Sequence, residues 1–208
     1  MPTSEMFRVK NVRLSFPALF KAKLPQNETD PGKAKFKATF ILDPKNPEHV
    51  PQIAAIKAAS AAIEKEQWPK GAKDLKSRAW EQQRTEEQYA AAVAAAKEAG
   101  LAEPKKPYDG WEGKFSLVTS ESERPKVVNA KGIPVSEGDS GVPYAGCFVD
   151  AWVSLWTQDN THGRRVNCNL IAVQFRADGD AFSSRPDADA IDFEDLSGQA
   201  DAGDDIPF

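Results

Sequence analysis

The stretch Tyr144–Trp156 most narrows the folds open to this chain. Ala145, Cys147, Val149, Ala151, Val153 and Leu155 recur at a period of two, with Tyr144, Gly146, Phe148, Asp150, Trp152, Ser154 and Trp156 between them. Only an extended strand separates these sets, because successive side chains of a strand point to opposite sides of its sheet. The first set is small and apolar and belongs in a tight core. The second interleaves four aromatics with small and polar residues, so it faces either a second apolar layer or a flat ligand. Thr157–Gly163 reads as a hairpin loop, and Arg164–Phe175 returns as the partner strand with Arg164 and Arg165 at its entry.

Further strands follow the same logic. Across Lys33–Leu42, Ala34, Phe36, Ala38, Phe40 and Leu42 alternate with Lys33, Lys35, Lys37 and Thr39. Such a lysine row either tracks phosphates or blunts an edge strand against aggregation. Phe7–Leu14 is a strand bearing Arg8, Lys10 and Arg13, broken when the chain reaches Pro17. Trp111–Ser120 and Lys126–Val128 add two more. No helical signal interrupts the second half, so antiparallel pairing is expected there.

Helical signals are confined to about 47–100. Val50, Ile53, Ile56, Ala59, Ser60 and Ile63 keep helical spacing, with Asn46 as the expected cap and Pro47 at the first helical position. Glu81–Ala99 is alanine-rich, with Thr85 and Gln88 spaced as a capping box and Gly100 as its stop. It buries little, which suits an insertion or lid. Trp68–Trp80 shows no assignable pattern. The fold class is therefore mainly β with inserted helices.

Several function classes find no support. No apolar run approaches the roughly 18 residues of a membrane span, and the first residues lack a secretory pattern, so a soluble cytoplasmic protein is expected. Cys147 and Cys168 lie in strand-like runs and read as buried hydrophobes. His49 and His162 are not at metal-ligand spacing from each other or from a cysteine. There is no phosphate loop, dinucleotide glycine motif or nucleophile elbow, so neither enzyme activity, metal nor cofactor is expected.

Charge divides the chain. Asp178–Phe208 carries ten acidic residues against Arg185 alone, a net −9, which leaves +5 of the whole chain's −4 to residues 1–177. Rich in Gly, Ser, Pro and Asp, this tail cannot bury enough surface to order itself, and disorder is expected over 178–208. Its end, Asp204, Asp205, Ile206, Pro207 and Phe208, is a compact apolar ligand preceded by acids, suited to a hydrophobic pocket ringed by cations.

Aromatics along a strand beside cationic strands suit single-stranded nucleic acid, since every base has a π-face and cations hold the backbone without reading sequence. On that reading Lys33, Lys35, Lys37, Arg164 and Arg165 contact phosphates, with Arg8, Lys10 and Arg13 in support, while Tyr144, Phe148, Trp152 and Trp156 stack on bases or pack in the core. A protein-binding adaptor and a recombination-associated nuclease on the same scaffold remain open.

The terminal Asp204-Asp205-Ile206-Pro207-Phe208 closely resembles the acidic tip of bacterial single-stranded DNA-binding proteins, which docks on replication and repair enzymes. The body resembles a family of phage-encoded single-stranded DNA-binding proteins through Leu14-Ser15-Phe16-Pro17-Ala18-Leu19-Phe20, Pro125-Lys126-Val127-Val128, Tyr144-Ala145-Gly146-Cys147-Phe148-Val149 and Leu170-Ile171-Ala172-Val173-Gln174-Phe175. The resemblance implies an OB-fold over residues 1–177, an antiparallel five-stranded barrel, with the helical insertion at about 47–100. It further implies a protein that coats single-stranded DNA in phage replication or recombination, acts in the bacterial host's cytoplasm, and recruits host proteins through its C-terminal tip.

Overall fold

Period-two alternation recurs within residues 7–42 and 115–177, and in the computed structural model the strands of these two regions join one sheet. The structure describes residues 1–25, 27–161 and 163–182. Beyond Phe182 the disordered tail and partner-binding tip expected from sequence lie outside the described residues, as does His162. The strands are β1 (Phe7–Lys23), β2 (Lys35–Leu42), β3 (Leu75–Arg78), β4 (Trp80–Gln82), β5 (Phe115–Glu121), β6 (Lys126–Val128), β7 (Phe148–Asn160) and β8 (Gly163–Ala177). Two helices, α1 (Val50–Gln67) and α2 (Glu86–Glu98), interrupt them.

The sheet runs β3-β8-β7-β1-β2-β5-β4, with β6 also on β8. This corrects the expected five-stranded antiparallel barrel: eight strands take part, the sheet is not closed, and β3 and β6 run parallel to β8. The reason lies in the stretch that showed no sequence pattern. Strands β5 and β8 approach one another, but the extended segment Leu75–Gln82 occupies their facing edges. Its first half pairs with Arg164–Val166 of β8 and its second with Phe115–Leu117 of β5. Between them the Val118 N–H donates to the Ala79 carbonyl at 2.7 Å. Edge groups that would otherwise pair directly, or go unpaired, are thus satisfied by an inserted chain.

Inside, Leu14, Phe40, Leu42, Phe115, Leu117, Val149, Val153, Leu155 and Leu170 are buried. Each contributes roughly 1.5–3 kcal/mol by leaving water. Ile53, Ile56 and Ile63 of α1 complete this core, and the helix packs on β7. Helix α1 starts three residues later than expected, at Val50, with Pro51 in its first turn. Asn46 closes the turn before it instead, accepting the Glu48 N–H on its side chain and the His49 and Val50 N–H groups on its carbonyl. Buried His49 accepts the Asp43 N–H on Nδ1 at 2.9 Å and donates from Nε2 to the Asn11 carbonyl at 2.8 Å. It therefore ties the helix entry to a kink in β1, where Asn11 has φ 56°.

The capping box of α2 forms as read, with Thr85 and Gln88 satisfying each other's backbone N–H groups, but the helix starts at Glu86 because residues 80–82 are strand. No α2 side chain is fully buried. Strand β7 begins at Phe148 and not at Tyr144, since Gly146 turns the chain with φ 106°. Lys33 sits in a short 3₁₀ turn ahead of β2. Among the described residues no helix is long and apolar enough to cross a membrane.

Candidate nucleic-acid interface

The outer face of β1 and β7 gathers most of the sequence-predicted residues. Arg8 lies directly across from Trp152 and Arg13 directly across from Phe148. The Arg8 guanidinium stands 4.6 Å from the centre of the Trp152 ring, and that of Arg13 stands 5.1 Å from Phe148. Between these pairs the buried Asp150 carboxylate accepts from Arg8, from Arg176 at 3.3 Å and from the Asn11 N–H at 2.7 Å. One carboxylate thereby orients two guanidinium groups on a single face and holds the β1 kink beneath them.

The aromatics predicted to stack are already engaged within the chain. Arg13 covers Phe148 and also lies 4.8 Å from the Phe182 ring centre. Arg8 covers Trp152. Half-buried Trp156 pairs through its backbone with Thr3. Tyr144 donates its hydroxyl toward Asp178 and the Gly179 carbonyl and accepts the Gly179 N–H. Residues 178–182 thus lie against the body, and the Phe182 N–H donates to the Ala145 carbonyl at 3.2 Å.

The cations divide three ways. Lys35 and Lys37 stand half-buried on the outer face of β2, where Lys35 contacts Ser122. Lys33 is paired with Glu28 at 2.9 Å, and that hydrogen bond, with the Asp30 N–H, holds the Glu28 carboxyl below its usual range. Arg164 lies at the far end of β8, bridged to Asp159 and facing Trp68, with Arg165 opposite Gln158. Lys10 is exposed beside α1, where Gln52 accepts its backbone N–H. The structure therefore unites Arg8, Arg13, Phe148 and Trp152, and leaves Lys33, Arg164 and Arg165 apart from them.

Free aromatic surface occurs next to this face, at residues the periodicity did not single out. Phe16 is 53% exposed and Tyr108 47% exposed. Their rings are 5.1 Å apart, and the buried Trp111 lies 5.0 Å from Tyr108 and 5.9 Å from Phe16. Two local devices build this cluster. In β1 the register slips between Ser15 and Ala18, and Phe16, with φ 47°, is turned out of the core alternation. Pro17 falls within the slip, where its missing N–H costs no ladder bond. In the return from α2, the Trp111 N–H donates to the Tyr108 carbonyl at 2.9 Å, and Gly110 takes φ 79° within that turn. A side chain at Gly110 would be strained at this φ, and without the turn Tyr108 and Trp111 would not meet.

The strap 105–111 arches over the outer face of β2 and β5, enclosing a pocket of about 260 Å³ lined by Phe16, Thr39, Gln83, Arg84, Tyr108 and Ser116, among others. Lys105 Nζ lies 5.4 Å from the Tyr108 ring centre, and Lys105 and Lys106 both border the pocket. Phe182 lines the neighbouring hollow with Phe16 and Tyr108, so the β1–β7 face and the aromatic cluster are continuous. Tyr89 of α2 braces the strap's base by donating to Glu103 at 2.6 Å. The only sequence signal for these residues was the interruption at Ser15-Phe16-Pro17 and the aromatic pair flanking Asp109-Gly110.

A mainly β protein with an open sheet, two helices and cations set against aromatics on its outer face is the class that fold and site define. The description that matches the chain is "Enterobacter phage Enc34, ssDNA-binding protein", over residues 6–206, and the chain belongs to this family of phage single-stranded DNA-binding proteins. Putative protein p50 of Acyrthosiphon pisum secondary endosymbiont phage 1 is 34% identical over 191 residues, covering 91% of this chain and 93% of its own. The fold is similar to that of the single-stranded DNA-binding protein from bacteriophage Enc34 in complex with ssDNA, with a TM-score of 0.65, 21% identity and coverage of 86% and 89% of the two chains. A second structure of the single-stranded DNA-binding protein from bacteriophage Enc34 gives a TM-score of 0.61 at 22% identity, covering 89% and 88% of the two chains.

Proposed function

We propose that the chain binds single-stranded DNA without sequence specificity along the outer face of β1, β2, β5 and β7, and coats exposed strands during phage DNA replication or recombination. The observation that carries this reading is the exposed pair Phe16 and Tyr108, held side by side above Trp111 and bordered by Lys105, Lys106 and Arg84. Flat rings open to solvent beside cations are what stacking a base and holding its phosphate require. Arg8 and Arg13, seated on Trp152 and Phe148, extend the cationic track, so those two aromatics support arginines more than they offer free faces. Lys35 and Lys37 continue it along β2, where Lys37 lies two positions from Thr39 of the pocket.

The acidic tip Asp204, Asp205, Ile206, Pro207 and Phe208 is assigned the second task, recruiting host replication or repair proteins, on the strength of its composition and terminal position. The reading has no enzymatic step and places the protein in the host cytoplasm. Fluorescence anisotropy of a labelled oligo-dT titrated with the protein at several salt concentrations tests it. Affinity should fall linearly in log–log form, by about 0.7 per phosphate neutralised. Failure to bind, or a flat salt response, would overturn it.

A further inference from the structure

We propose that the pocket beneath the strap holds one nucleobase and prefers cytosine or adenine over thymine, giving an otherwise unspecific protein a base bias at one position of each bound strand. The proposal rests on the single-stranded DNA reading above and goes beyond it. The aromatic cluster alone would take any base, because stacking does not distinguish the four. What lies behind it is different in kind.

At about 260 Å³ the pocket falls just below the roughly 300–1,000 Å³ of drug-sized ligand sites. That is room for one planar ring system and not for a stack of them. Its lining wall joins the exposed rings of Phe16 and Tyr108 to the polar side chains of Thr39, Gln83 and Ser116, with the exposed Glu81 beside them. The Gln83 side-chain amide donates to Ser116 Oγ at 3.1 Å and to Glu81 Oε2 at 3.3 Å. An ionised carboxylate only accepts, so the end of Gln83 facing Glu81 is its amino group, which fixes the orientation of the amide. Both bonds thus use the amino group, and among the described residues no hydrogen bond to the Gln83 carbonyl oxygen is found.

The wall therefore presents acceptors, the Gln83 carbonyl and the Glu81 carboxylate, with the Thr39 hydroxyl able to serve either way. Cytosine at N4 and adenine at N6 offer amino donors where thymine carries a carbonyl oxygen. A thymine in the same pose would set its O4 against those acceptors and leave them unpaired, and sites built to pair with a donor reject ligands lacking it. Arg84, Lys105 and Lys106 at the rim provide donors for the phosphates on either side, so the Glu81 charge does not repel the strand as a whole.

The test compares oligo-dT of about ten nucleotides, a length within the known range of site sizes, with the same oligomer carrying one central dC or one central dA. Because a protein can slide along the run, a single favoured base suffices to set the register. The full chain is expected to bind the substituted oligomers about tenfold tighter, a typical discrimination for one hydrogen-bonded base edge. In Gln83→Ala, verified as folded by thermal melting, the ratio should collapse to about one. Thr39→Val serves as a second variant and should narrow the ratio while adding no bulk. Equal binding of all three oligomers by the unaltered chain, or a ratio untouched by Gln83→Ala, overturns the pocket assignment and leaves the function intact. No binding to any of them overturns both.

Discussion

Replacing Tyr108 with alanine removes one of the two open stacking faces while sparing the fold. Its ring is 47% exposed and touches Phe16 and Trp111 at centroid distances of 5.1 and 5.0 Å. Aromatic pairs of this kind contribute about 0.5–1.5 kcal/mol each, so losing both costs on the order of 1–3 kcal/mol, below the roughly 5–15 kcal/mol stability of a typical domain, and the variant stays native at room temperature. Loss of a base stack costs about 1–3 kcal/mol, which converts to roughly 5- to 150-fold weaker binding of oligo-dT. Phe16→Ala should behave alike, and the double variant should lose less than the sum, because the rings share one contact. Anisotropy with labelled oligo-dT measures the affinity, thermal melting checks the fold, and Tyr89→Phe, which only removes the hydrogen bond to Glu103, is the control. The salt slope should stay at the native value in Tyr108→Ala and fall in the double variant Lys105→Ala, Lys106→Ala. A folded Tyr108→Ala that binds within twofold of the native chain refutes the stacking assignment.

Both cysteines should resist thiol reagents in the native state, since burial pushes the Cys147 thiol up to about 11 and moves Cys168 higher still; rapid labelling with Ellman's reagent at neutral pH would contradict this. Burial pushes the Glu64 carboxyl up, but the two hydrogen bonds from Arg78 and one from Ser60 outweigh it and leave it below its usual value of 4.5. The pair therefore stabilises the fold above that value and loses its contribution as pH falls through the lowered one. With Arg78 40% exposed and screened, Glu64→Gln should cost about 0.5–1 kcal/mol in urea melts at pH 7, and the difference should vanish at low pH. Gly146→Ala would place a methyl 2.1 Å from the Asp180 carbonyl oxygen at φ 106°, so a melting-point loss equivalent to at least about 2 kcal/mol is expected. Deleting Asp201–Phe208 should leave oligo-dT affinity unchanged or modestly raised at low salt and abolish capture of host replication proteins; a collapse in affinity would show that the tail belongs to the DNA site.

What could be read from the sequence was local in origin. The Thr85–Gln88 capping box needs four consecutive residues, and the split of Phe148, Trp152 and Trp156 from Val149, Val153 and Leu155 needs only strand geometry. Both appear as read. Leu75–Gln82 escaped because its two halves pair with strands roughly 90 and 35 residues further on, and pieces as short as Leu75–Arg78 and Trp80–Gln82 are too brief to display a period of two. The site was half legible for a similar reason. Arg8 opposite Trp152 and Arg13 opposite Phe148 follow once the strands pair, but which ring faces remain open depends on what covers them. Phe16 escaped because a left-handed backbone at one residue reverses its side, and Tyr108 because a turn, not a period, places it.

Photocrosslinking addresses the central claim most directly. An oligo-dT carrying 5-iodo-deoxyuridine at single positions, irradiated on the full chain and digested for mass spectrometry, should attach to Phe16 or Tyr108. Attachment confined to the far end of β8 around Arg164, or to α2, would contradict the account.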